Sequence, residues 1–518
     1  MEGTNLTVDA QVITTAQGVQ DPLATTSRGK FAVDLLKLTS GTILAQTVSI
    51  LAAPLIARLF DPQAFGSASL FTSIASVMGI VVCLRYDRAI ILPAQDKEAF
   101  DLFGVSIFAA LLVSTMAIVM VTAGKTVLFV RLKSPDLQAY LWLVPLNVFF
   151  LGVLSALNSW KTRKRGFTAI TIAQVLSSAC YICFSIIAGV TGHTNGGYLI
   201  LGAFFGSVIS VLTLVVPTAG EGWFALLRTI NPKHMLKAVH RYKRFPKYSA
   251  GAGILYSISW ELPVLFLSAF FSPAVVGQYA LGNRIVRLPM SFLGLNISRV
   301  FSQRAAQAKH DGTLAPFVDK TFHSLVSFGM FPFLLLVLIG RPLFSVVFGG
   351  RWAEAGTYTE ILSAWAFFWF LSATLSSALD VLEEQAFELR MNVLILITRL
   401  VSLLIGGLAG SPRISLVLFS ASGVTVYGYY CFAIVNKCGL PASRVIQVLL
   451  REFLKCIPFG IVIILTRYVA TSSVVSLAVS TIMLLTYYFS VIRDNAEIRQ
   501  MLYALTHRYA FFQTSRSY

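Results

Sequence analysis

Fourteen apolar runs punctuate this chain, near residues 39–60, 65–84, 101–123, 137–158, 167–191, 197–219, 248–271, 275–298, 321–340, 357–379, 391–409, 412–435, 452–470 and 472–492. Each is long enough to cross a hydrocarbon layer about 30 Å thick as a helix. Inside lipid every backbone N–H and C=O needs an internal partner, so runs of this length specify helices. Only 12% of the residues are charged and mean hydropathy is +0.74, where soluble domains carry roughly 25% charge. The expected fold is all-α: a polytopic membrane protein of about 14 transmembrane helices.

An even number of spans puts both termini on one side. Of the 41 Lys and Arg, 30 fall in the tails, loops and bordering span ends on that side and 7 in the loops and bordering span ends on the opposite side, which leaves Arg58, Arg284, Arg287 and Arg399 as the arginines assigned within spans. This positive-inside bias predicts cytoplasmic termini. It also accounts for the net charge of +18 without nucleic acid. The basic loops KTRKRGF (161–167) and 228–247 read as topology signals in contact with membrane lipids.

An internal repeat is visible. The turn after the first helix reads DPQAFG (61–66) and the turn after the seventh SPAVVG (272–277), so that Pro273 and Gly277 follow Pro62 and Gly66 by 211 residues. Arg88 and Arg299 share this offset. Six helices separate the copies, which therefore point the same way through the membrane, as in transporters made of two parallel halves. The expected organisation is a cytoplasmic tail (1–34), a six-helix bundle (35–220), a basic linker (221–247), a second six-helix bundle (248–436), two additional helices (437–492) and a second cytoplasmic tail (493–518).

No phosphate loop, HExxH motif or paired metal-ligand spacing occurs, and no nucleophile stands with a base and orienting acid, so no catalytic residue, metal site or cofactor is expected. What remains is charge within the membrane. Arg284 and Arg287 lie roughly 10 and 15 Å along the eighth helix from Gly277 and share a face. An arginine at that depth costs at least about 2.5 kcal/mol and calls for a partner or a watery cavity. Arg58 and Arg399 join them, against one carboxylate of comparable depth, Glu261.

Glu261 either pairs with an arginine, locking the seventh helix to the eighth, or serves ion coupling to a proton or sodium gradient. The excess arginines would bind an anionic headgroup, because guanidinium forks match phosphate oxygens. Arg85, Asp87 and Arg88 at the inner end of the second helix form either a helix-end ion pair or a cytoplasmic vestibule.

The stretches RLFDPQAFG (58–66), LRYDRAIILP (84–93), VGQYALGNRIVRLP (276–289), ISRVFSQRAAQAKHDG (297–312) and LFSVVFGGRWAEAGTY (343–358) together resemble the Wzx-like polysaccharide biosynthesis flippases of the multidrug/oligosaccharidyl-lipid/polysaccharide exporter superfamily. The resemblance implies two six-helix bundles around a V-shaped cavity. It also implies translocation of a polyprenyl-diphosphate-linked oligosaccharide, a repeat unit of lipopolysaccharide or exopolysaccharide, with polymerase and chain-length machinery as partners. A multidrug exporter of the same superfamily and a polysaccharide polymerase or ligase are the alternatives. The first wants several buried acids and the second sizeable outer loops, and the chain offers neither.

Overall fold

In a computed structural model describing residues 43–124, 134–218, 231–290, 295–469 and 472–494, the described residues are helical throughout, with no strand. The expected tails and the start of the linker lie outside these residues. Fourteen helices stand where the sequence places spans. In the first half they are α1 (Ile43–Leu59), α2 (Pro62–Gly79), α3 (Asp96–Ala123), α4 (Leu143–Arg163), α5 (Phe167–Val190) and α6 (Gly196–Thr218). In the second they are α7 (Gly251–Phe270), α8 (Pro273–Val286), α9 (Leu314–Val347), α10 (Ala353–Leu375), α11 (Gln385–Leu408) and α12 (Pro412–Lys437), followed by α13 (Ala442–Val469) and α14 (Ser473–Asp494). Ten of these positions carry helices long and apolar enough to span by themselves.

Helices α2 to α6 pack on one another, as do α7 to α12, and α13 and α14 lie against α9. Two helix pairs, α2 with α8 and α2 with α7, join the groups. The apolar face of α1 straddles both: Ala53, Ile56 and Phe60 meet Ile182 and Leu199 of the first group and Phe344, Phe348 and Trp352 of the second. On α10, Trp365, Phe367 and Phe370 are buried rather than turned to lipid. They form the centre of the second bundle.

The repeat is built into the local chemistry of α2 and α8. Asp61 caps α2 by accepting from the Ala64 amide at 2.7 Å, and Pro62 takes the first helical position. Ser272 caps α8 by accepting from the Val275 amide at 3.4 Å, with Pro273 next. Proline is favoured there because that amide has no intrahelical acceptor. Both helices are shorter than the apolar runs that encode them. Instead of running from 65 to 84, α2 ends at Gly79, and the chain turns through Leu84 and Arg85, both in left-handed backbone (φ 49° and 65°). Helix α8 stops at Val286 rather than continuing to 298. Pro289 lacks an amide donor and crowds the carbonyl of Ile285, which interrupts the helical ladder at Arg287.

Candidate functional site

The termination of α8 places its two arginines at a helix end. Arg284 lies in the last turn and Arg287 is the C-cap, where the partial negative charge of the unsatisfied carbonyls favours a cation. Part of the cost of arginine at this depth is thereby offset. The remaining partners separate the four intramembrane arginines.

Arg284 donates through Nη2 to the carbonyl of Ser49 on α1, at 3.0 Å. Arg399 is 4% exposed. It donates to the carbonyl and hydroxyl of Ser259 at 3.0 and 3.1 Å and to the Tyr427 hydroxyl at 2.8 Å. Its guanidinium sits 4.7 Å from the Trp260 ring and 5.6 Å from that of Phe419. Arg58 is exposed and donates to the Val346 carbonyl at 2.9 Å. Arg287 differs from all three: it makes no hydrogen bond or ion pair among the described residues, and protein touches it through the faces of Trp260 (4.9 Å) and Trp369 (5.7 Å).

Arg287 also lines a cavity, of about 470 Å³, between the two bundles. Ser76, Gly79 and Ile80 of α2, Ser155 and Asn158 of α4, and Tyr256, Trp260 and Glu261 of α7 form its other walls. These positions fall at the C-terminal ends of α2 and α4 and in the N-terminal half of α7. The cavity therefore occupies the half of the molecule nearer the KTRKRGF loop, called the basic end below.

Glu261 faces this cavity without an arginine partner. It accepts from the hydroxyl of Ser73 on α2 at 2.5 Å, and among the described residues no ion pair within 4.0 Å joins it to any cation. In place of a lock between the seventh and eighth helices stands a bond between bundles, with Trp260 against the Arg287 guanidinium. A second carboxylate is fully buried in the protein. Helix α13 starts ten residues before the apolar run that predicted it, and this carries Glu452 into the interior at 0% exposure.

The other end of the molecule is sealed by the repeat. A Cβ on Gly66 would overlap the Pro273 carbonyl, and one on Gly277 would overlap the Pro62 carbonyl. The two glycines, 211 residues apart, thus allow reciprocal backbone contact between α2 and α8. Around this seam Trp352 Nε1 donates to the Ala57 carbonyl at 2.7 Å and stacks edge-on with Phe65 at 4.9 Å. The Arg58 bond to Val346 crosses from α1 to the second bundle here as well, whereas the Arg284 bond to Ser49 crosses nearer the basic end. All four intramembrane arginines stand near the bundle interface or the core behind it, but Arg287 alone among them faces the cavity.

At the basic end, Arg85 is 8% exposed, packed against Gly253 of α7 so closely that a Cβ there would overlap its guanidinium. Arg88 is exposed. Asp87 accepts from Ser155 at 2.7 Å; among the described residues it forms no ion pair within 4.0 Å, so the helix-end ion pair is not made at this turn. The side chain of Arg299, its repeat partner, lies outside the described residues.

The sequence matches the family model of polysaccharide biosynthesis proteins over residues 55–357. The chain belongs to this family. None of the curated proteins matches it by sequence. Among solved structures, this polysaccharide biosynthesis protein is similar to the lipid II flippase MurJ in an inward closed conformation, with a TM-score of 0.68 and 12% identity over 88% of this chain and 99% of that one. It is also similar to an inward-facing multidrug resistance MATE transporter of the MOP superfamily, with a TM-score of 0.56 and 15% identity over 76% of this chain and 95% of that one. At such identities the likeness is one of fold. Sequence reasoning about this family member missed Trp260, Trp369 and Ser73. Ordinary apolar and small residues carry no signal until helices from different bundles bring them to Arg287 and Glu261.

Proposed function

We propose that this protein is a flippase that carries a polyprenyl-diphosphate-linked oligosaccharide from the inner to the outer leaflet of the bacterial inner membrane by alternating access, with both termini in the cytoplasm. The observation that carries this reading is Arg287: a cavity-lining guanidinium whose N–H donors have no acceptor among the described residues. Such a group fits an anionic cargo, and its fork suits the oxygens of a diphosphate. In this reading the basic end is the cytoplasmic side, the headgroup enters there, and the polyprenyl chain stays in lipid. Arg284, Arg58 and Arg399 act indirectly, by fixing α1 and α8 and the aromatic wall behind Arg287. Glu261 is the coupling group: a proton or sodium ion arriving at its carboxylate competes with the Ser73 hydroxyl and loosens α2 from α7. A drug exporter moving organic cations would place its cargo beside an unneutralised arginine.

Replacing Arg287 by alanine is expected to abolish surface polysaccharide while protein abundance stays normal, with lipid-linked repeat units held on the inner leaflet. Arg287→Lys should retain part of the flux, since the charge remains but the fork is lost. Wild-type polysaccharide from a normally abundant Arg287→Ala protein would refute the reading.

A further inference from the structure

Away from the cavity, the first turns of α9 and α13 leave a groove of about 260 Å³ at the basic end, lined chiefly by Asp319, Lys320, His323, Arg444, Gln447 and Arg451. Arg444 is held by Asp319 in a two-point pair at 2.8 and 2.9 Å. Beneath the groove the Glu452 carboxylate lies 3.2 Å from His323 Nε2 and accepts from Lys455 at 2.7 Å. Arg444 and Lys455 are thus neutralised by Asp319 and Glu452, and Lys320 and Arg451 stand beside them. Arg451 makes no hydrogen bond or ion pair among the described residues.

The setting identifies the missing anion. Arg444, Gln447, Arg451 and Lys455 repeat at helical spacing, which puts them in one stripe along α13. From Arg444 to Arg451 the stripe climbs about 10 Å and ends one residue before the apolar run 452–470, at the headgroup level of a bilayer. On the same helix Leu450, Leu454, Ile461 and Leu465 are exposed, forming an apolar face on which acyl chains can lie. Basic pockets between helices at the cytoplasmic surface suit phosphate headgroups.

We propose that the groove between α9 and α13 binds the phosphate of an anionic glycerophospholipid, which fastens the two appended helices to the second bundle. A soluble diphosphate offers the same chemistry without a tail, and the test separates the two sources. The full-length protein in detergent is incubated with phosphatidylglycerol or phosphatidylcholine and bound lipid is read by native mass spectrometry. Phosphatidylglycerol is expected to remain bound in preference to phosphatidylcholine, and millimolar inorganic pyrophosphate should not displace it. Arg451→Ala and Lys320→Ala should each weaken binding about fivefold, with lipid-free melting temperature unchanged, whereas Arg390→Ala at the same end of α11 should leave binding intact. Equal retention of the two lipids, equal effects of Arg451→Ala and Arg390→Ala, or displacement by pyrophosphate would each overturn the assignment. Because the readout is bound mass, its outcome is separate from whether the chain flips anything.

Discussion

Arg287 and Arg399 are chemically identical and both touch the ring of Trp260, yet their surroundings give them opposite roles. Arg399 is closed in by three described hydrogen bonds and a ring of aromatics; removing it leaves the Ser259 carbonyl and the Tyr427 hydroxyl without their donor in an apolar core. Loss of a buried cation–aromatic contact and of hydrogen bonds to a charged group amounts to roughly 3 kcal/mol. Arg399→Ala is therefore expected to lower the melting temperature in detergent and cellular abundance, while Arg287→Ala changes neither and removes only transport. Thermal denaturation of the two purified variants side by side checks this division. Comparable melting losses in both would mean that Arg287 is structural.

Helices α2 and α8 show how one short motif can do the same work twice. The proline starts each helix, and the glycine one turn later lets the partner's first carbonyl approach. A side chain at either glycine has no space, so Gly66→Val or Gly277→Val should push the two helices apart at the end remote from the cavity. With the six free cysteines replaced, a cysteine at Leu281, which is 1% exposed, is expected to react with an external impermeant thiol reagent only in the valine variants. Unchanged protection would show that the seam yields elsewhere.

For the molecule as a whole, the distribution of cross-bundle contacts defines its state. Of the bonds from α1 to the second bundle, those through Ala57, Arg58 and Trp352 lie at the end remote from the basic loops and the Arg284–Ser49 bond lies toward the basic end, while the cavity lies in the basic half. This is an inward-oriented arrangement if the basic end is cytoplasmic. A cysteine at Asn158 should then be labelled in inside-out vesicles and protected in right-side-out ones, and Gly66→Val should reverse the preference. Labelling of Asn158→Cys only from the outer face of intact cells would invert the proposed topology.

The sequence by itself determined the helices, their number, the doubled DPQAFG-type turn and the presence of four arginines within the membrane. These follow from apolar length, charge placement and local spacing, which are properties of contiguous residues. Tertiary structure decided which arginine is free. Nothing in the neighbourhood of residue 399 announces Ser259 and Tyr427, nothing beside Glu261 announces Ser73, and Glu452 sat at the margin of an apolar run until the helix began ten residues earlier. A buried charge takes its role from the groups that surround it in space, and here those groups come from helices far apart in the chain.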